Sequence, residues 1–339
     1  MNVLIIGVTG LLGSEACKVF LENGDTVRGL SLPALPKGYK KDPRVELIFE
    51  NYLTISDEKL DQVFRDIDYF VFAAGVDERV KVAPPAYDFF EKFNVTPLER
   101  LLKFAKKNQV KHAVILGSYF TYFVKTRPEL NLTENHPYIK SRQNQLEMAL
   151  SHQTDTFHVS VLELPYIFGT QPGRKPVWVF LLEMIKKMKP ATFFSKGGTA
   201  LITSKQVGHA IFNATRQEQS NVYPLATANL TWRELFKIFH KYMGTPNKKI
   251  ITLPNFIFKL VLKAMARKEK RAGFEGGLNL RKFGPMQCSK QFISPDLGAK
   301  LLNIPEDDIN LAIKASVEQS LAALRTKEYG VDMEVSLKE

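Results

Sequence analysis

The sequence predicts an α/β protein built on a doubly wound parallel sheet, joined to a smaller, mostly helical domain. Three observations carry that expectation. An apolar run, Val3–Ile6, leads directly into glycines at positions 7, 10 and 13. Short β-branched runs then alternate with amphipathic segments as far as Leu164. Beyond Gly169 the texture turns rich in Lys and Phe, with prolines at 172, 176, 190, 224 and 254. Strands alternating with helices imply βαβ units and ligands at the carboxyl ends of the strands.

Taken in order, Val3–Ile6 has the continuous apolar character of a strand buried on both faces. Leu12, Ala16, Val19 and Phe20 recur at helical spacing, and Asn23-Gly24 closes that helix. Thr26–Leu30 and Val45–Phe49 read as strands, Asp57–Phe64 as a helix, and Tyr69–Ala73 as a strand running into Ala73-Ala74-Gly75. Phe89–Asn108 reads as one long helix, His112–Leu116 as a strand, Tyr138–Leu150 as a helix and Val159–Leu164 as a strand. The pattern returns briefly around Leu201–Leu225. Residues 1–168 and 200–226 are therefore expected to form the first domain. Residues 169–199 and 227–325, with helices at Trp232–Met243 and Asp308–Leu324, form the second, and 326–339 is a polar tail.

Composition removes several function classes. Two cysteines, Cys17 and Cys288, give no disulfide framework and no cysteine zinc site. His112, His136, His152 and His158 lack metal-ligand spacing, so no metal is expected. The formal charge of +12 is spread over the polar faces of helices without a nucleic-acid motif, so no nucleic-acid partner is expected. No apolar run reaches the roughly 18 residues of a membrane span, and the expected setting is the cytoplasm. Residues 253–271 mix apolar and basic side chains in a way that permits contact with an anionic membrane. Packing against the second domain, or over the substrate cleft, is the expectation for them.

The glycines at 7, 10 and 13 solve three steric problems: a tight turn, a close approach to a pyrophosphate, and close packing of helix on strand. With Thr9, Leu11 and Leu12 they form a phosphate loop at the positive end of a helix. A small-molecule substrate and a dinucleotide cofactor follow.

The spacing G-x-x-G-x-x-G with Thr9 resembles the extended short-chain dehydrogenase/reductase family, which includes NAD-dependent epimerases and dehydratases. Ala73-Ala74-Gly75, Asn94, Gly117-Ser118, Pro137-Tyr138, Leu164-Pro165-Tyr166-Ile167-Phe168-Gly169 and Thr231-Trp232-Arg233-Glu234-Leu235 extend the likeness over most of the chain. The resemblance implies a Rossmann domain, a substrate cleft between the two domains, and a homodimer through the two long helices. It implies catalysis by Ser118, Tyr138 and the residue four beyond the tyrosine. It also implies cofactor contacts from the phosphate loop, Ser31, Leu53, Ala73, Ala74, Gly75, Asn94, Tyr138, Arg142, Pro165 and Ile167.

Three departures bear on function. The family's Tyr-x-x-x-Lys reads Tyr138-Ile139-Lys140-Ser141-Arg142 here. Arg142 shares the tyrosine's helix face and keeps the positive charge, but as a bulkier planar fork. Retained proton transfer is the expectation; cofactor binding without turnover is the alternative. Strand two ends at Ser31 with no carboxylate to repel a 2′-phosphate, which favours NADP over NAD. Tyr52-Leu53 stands where an aspartate before leucine usually meets the adenine, so stacking is expected there. The leading function is NAD(P)-dependent hydride transfer to a carbonyl or from an alcohol. The alternatives are a sugar-nucleotide epimerase or dehydratase and a non-catalytic cofactor-binding sensor. Ser118-Tyr119-Phe120 lacks the Thr-Asp-Glu set of a dehydratase.

Overall fold

In the computed structural model, residues 1–33 and 35–326 are described. Beyond Thr326 the expected tail lies outside them. Seven parallel strands form the main sheet: Asn2–Ile6 (β1), Thr26–Ser31 (β2), Val45–Phe49 (β3), Tyr69–Phe72 (β4), His112–Leu116 (β5), His158–Glu163 (β6) and Asn221–Pro224 (β7). Their spatial order is β7-β6-β5-β4-β1-β2-β3, all pairings parallel. Strand order therefore reverses between β1 and β4, and the crevice at that reversal is where a doubly wound sheet takes its ligand.

Side chains of β1 alternate across the sheet. Val3 and Ile5 face a layer with Phe20 of helix Leu11–Glu22 (α1) and Ile211 of a later helix. Leu4 and Ile6 face Leu60 and Phe64 of Asp57–Phe64 (α2) and the helices that follow. Both layers are apolar and buried, and this burial on two faces is why the strands read as unbroken apolar runs.

The expected single helix Phe89–Asn108 is two helices, Ala86–Asn94 (α3) and Thr96–Lys107 (α4). Pro97 at the start of the second has no amide to offer the preceding turn, so the ladder breaks at Val95. Pro137–Ser151 (α5) and Ser204–Thr215 (α6) complete the layers against the sheet.

A second sheet joins Tyr166–Phe168, Gly198–Thr203, Ala228–Thr231 and Lys290–Gln291. Its core, around Phe168, Trp178, Trp232, Phe236 and Phe239, is closed by the helices Val179–Lys187, Trp232–Tyr242 and Ile309–Thr326. The Thr231-Trp-Arg-Glu234 sequence is a capping box. Glu234 N donates to Thr231 Oγ1 at 3.2 Å and Thr231 N donates to Glu234 Oε2 at 2.8 Å. The segment 253–271 forms the helix Asn255–Arg271 (α7), which buries only Phe258 and Leu262.

Candidate functional site

The phosphate loop is built by sterics. Gly7 turns at φ 88°, where a Cβ would stand 2.5 Å from the Ala73 carbonyl oxygen; no other residue fits there. At Gly13 a Cβ would collide with the Gly7 carbonyl, so α1 lies directly on the turn. At Gly10 a Cβ would meet only that same oxygen, at 3.1 Å, which leaves the space above the loop open. Helix α1 has no side-chain cap and no acidic residue in its first turn. Its first amides, those of Leu11 and Leu12 among them, lack intrahelical acceptors and suit an anion. The loop fits a pyrophosphate.

Beside it, buried Ser31 ends β2 with its Oγ 2.6 Å from Thr9 Oγ1. Arg174, which sequence reasoning passed over, reaches back to this point. Its Nε donates to the Thr9 carbonyl at 2.9 Å and its Nη2 donates to Thr9 Oγ1 at 2.8 Å. Burial lowers its pKa, and among the described residues no carboxylate is paired with it. The segment carrying it bridges the loop to the turn after β2, because Gly173, at φ 72°, lies directly on the backbone of Lys37. Ser14 Oγ donates to Gln171 Oε1 at 2.8 Å. Gln319 Nε2 donates to the Gln171 carbonyl at 3.1 Å, and Gly169 N donates to Ser316 Oγ at 2.9 Å.

At the crevice, Tyr52 packs edge-on against Phe72 with centroids 5.8 Å apart, and burial pushes its hydroxyl up to about 12. Leu53 N donates to Asn51 Oδ1 at 3.0 Å. Ala73, Ala74 and Gly75 line the end of β4. Fully buried Asn94 is turned to main chain. Its Oδ1 accepts from Val76 N at 2.8 Å and its Nδ2 donates to the Val76 carbonyl at 3.2 Å. Asn94 thus clamps the bend after Gly75, with both of its side-chain polar atoms bonded to main chain. Pro165 is buried, and Ile167 gives its carbonyl to Trp178 Nε1 at 3.0 Å.

The three expected catalytic residues come together. Tyr138 opens α5 and is 4% exposed. Burial raises its phenol pKa, while the Arg142 charge and a hydrogen bond with Ser118 pull it down. The Arg142 guanidinium carbon lies 5.6 Å from the Tyr138 ring centroid. Its Nη2 donates to the Leu116 carbonyl at 3.1 Å and its Nη1 donates to Gln145 Oε1 at 2.9 Å. The Nε of Arg142 is buried without a partner. The cation is therefore pinned at the carboxyl end of β5, under the tyrosine.

Two acids, one buried and one half-buried, went unseen in the sequence. Glu163, at the end of β6, is pushed up to about 7 by burial. It pairs with the Thr121 hydroxyl, which also lies 2.6 Å from the Ser118 carbonyl. Glu78 stands in the cleft itself. Burial and neighbouring Asp77 push it up to about 7, against the pull of Arg79 and Arg142. Its charge acts on Tyr119, Tyr138 and Tyr166. The cleft wall is closed by the pairing of Lys81–Val82 with Glu275–Gly276, and Tyr138 N donates to the Gly277 carbonyl at 3.0 Å. His112 spends both ring nitrogens, on Ser160 Oγ at 2.8 Å and the Gln217 carbonyl at 2.9 Å.

Residues 3–219 match the model of the NAD dependent epimerase/dehydratase family, and they contain the loop, the crevice and Tyr138. The chain belongs to that family. A UDP-glucose 4-epimerase from Lactobacillus helveticus is 33% identical over 146 residues, 40% of this chain and 41% of that protein. The alignment therefore spans less than half of that relative. Among solved structures, the Bordetella bronchiseptica enzyme WbmH in complex with NAD+ superposes with a TM-score of 0.66 at 17% identity, covering 97% of this chain and 99% of that one. UDP-glucuronic acid 4-epimerase from Bacillus cereus, in complex with UDP-glucuronic acid and NAD, gives 0.66 at 13% identity, covering 95% and 99%. These likenesses extend the shared fold over the second domain as well.

Proposed function

We propose that the protein carries out NADP-linked hydride transfer at a carbonyl or secondary alcohol carbon. The observation that carries this reading is the buried Tyr138 phenol at the mouth of the phosphate-loop crevice, with the Arg142 guanidinium carbon 5.6 Å from its ring centroid and Ser118 among the groups that draw its pKa down. A bound nicotinamide dinucleotide supplies the hydride chemistry; the chain supplies placement and proton transfer. Ser118 orients the substrate oxygen. Tyr138 gives that oxygen a proton or takes one from it, and Arg142 holds the phenolate form within reach. Thr121 and Glu163 brace the Ser118 backbone from behind. The reaction belongs in the cytoplasm.

Preference for NADP is supported by the serine at position 31, where no carboxylate opposes a 2′-phosphate, and by Arg174 bonded to Thr9 beside it. A guanidinium without a carboxylate partner suits a phosphate monoester, with which it makes charge-assisted, fork-shaped contacts. A second reading, a sugar-nucleotide 4-epimerase that retains its cofactor, is favoured by the name of the curated relative.

Calorimetric titration with NADPH and NADH tests both, after absorbance has been checked for nucleotide that survives purification. Free protein that prefers NADPH and oxidises it with a carbonyl compound supports the first reading. Protein that emerges loaded with NAD and exchanges it slowly replaces it with the second. A folded, nucleotide-free protein that binds neither removes both.

A further inference from the structure

Helix α7 offers a surface that neither the fold nor the site accounts for. Its inward ladder, Phe258 and Leu262, packs on the helix Leu280–Gln287 through a small cluster with Cys288. Two outward ladders at i, i+4 spacing, Phe256-Leu260 and Ile257-Val261-Met265, are apolar and exposed; Phe256 is 67% exposed and Leu260 is 59%. Flanking them run Lys259, Lys263 and Arg267, and the last turn adds Lys268, Lys270 and Arg271. Six basic side chains thus stand against one carboxylate, Glu269, which is already paired with Lys81 at 2.6 Å. Among the described residues, none of the six makes an ion pair. A shallow groove at the start of the helix places Lys196 beside Lys259, Asn255 and Phe256, so that two lysines line one concavity.

We infer that α7 is a peripheral docking surface for an anionic lipid bilayer. The apolar half of the helix enters the headgroup region, and the basic flank, last turn and Lys196–Lys259 groove meet the lipid phosphates. Charge complementarity selects this occupant. A second copy of the chain would bring six like charges against six, whereas an anionic leaflet accepts both the apolar ladders and the cations at once. The helix is too short and too charged to cross a membrane, and no helix among the described residues has that character. It leads through Phe274, 49% exposed, into the Glu275–Gly276 strand that walls the cleft. The bound surface would thus lie one short strand from Tyr138.

The test is flotation of the full chain with vesicles of phosphatidylcholine, alone and mixed with phosphatidylserine. Binding only to the mixed vesicles, weakening as salt rises, is expected. Leu260→Glu with Val261→Glu should abolish it. Lys259→Gln with Lys263→Gln should lower partitioning about 25-fold, at roughly fivefold per basic residue. All four positions are exposed, and unchanged nucleotide binding by each variant shows that it is folded. No flotation with anionic vesicles overturns the proposal, as does flotation that survives both pairs of changes. Concentration-dependent dimerisation abolished by Leu260→Glu would assign the surface to a second copy instead, and binding only to an acidic protein would assign it to that class.

Discussion

Replacing Arg142 by Met asks whether the arginine does electrostatic work on Tyr138. The guanidinium carbon lies 5.6 Å from the ring centroid. With the effective dielectric of about 20 that suits half-buried pairs, a unit charge at that range favours the phenolate by about 3 kcal/mol. That corresponds to about a 100-fold change in the balance between phenolate and phenol. Burial already raises this phenol, so losing the cation takes it further from neutrality. The phenolate fraction at any pH below both values should fall about 100-fold, and kcat for alcohol oxidation should fall with it. Arg142→Lys keeps the charge and should stay within about tenfold of the parent. The assay is the initial rate of alcohol oxidation between pH 7 and pH 9, with nucleotide affinity measured separately by titration so that a binding defect is not read as a catalytic one. Equal losses in the Met and Lys variants would refute the electrostatic argument, and so would a Met variant within threefold of the parent.

Other changes probe neighbouring parts of the site and the core. Gly10→Leu fills the open space above the loop while its first atom meets only one backbone oxygen; titration should show nucleotide affinity at least 100-fold weaker with thermal stability nearly unchanged. Arg174→Ala should weaken NADPH about 10- to 100-fold and NADH little, reflecting one lost charge-assisted contact of about 1.5 to 3 kcal/mol. Glu163 has a folded-state pKa raised to about 7, so the folded protein loses stability as pH climbs through the window from the ordinary carboxylate range to 7. Glu163→Gln should therefore gain on the parent by roughly 1.4 kcal/mol per pH unit there and level off above it, as read by denaturant melts at a series of pH values. Phe64→Ala empties a fully buried site between α2 and the sheet and should cost about 3 to 5 kcal/mol in the same melts.

The first domain was legible because its strands are buried on both faces and its turns are steric. Val3–Ile6 and His112–Leu116 announce themselves as apolar runs, and Gly7 and Gly13 occupy positions where any side chain would strike backbone. Tyr138, Ser118 and Arg142 were singled out by the resemblance, and the Arg142 guanidinium stands 5.6 Å from the Tyr138 ring centroid. What escaped depends on partners distant in the chain. Glu78 sits in the cleft because residues 275–277, about 200 positions later, pack against the backbone of 78–82. Arg174 matters because its loop folds back on Thr9. Asn94 was expected to contact the cofactor, whereas its side chain is bonded to the Val76 backbone, a target that could not be read from the residue type alone. The break at Pro97 was missed, because helical periodicity on either side masked the missing amide.

The segment from Gly169 to Arg174 couples the start of the chain to its far end. It rests on Thr9 and Lys37 on one side and is held by Ser316 and Gln319 on the other. The flank of the groove beside Thr9 is therefore complete only when Ser316 and Gln319 are in place, although they bond to Gly169 and Gln171 rather than to the loop itself. A change in that distant helix that removes both contacts should leave the sheet and glycine turn folded while unlatching the groove's flank.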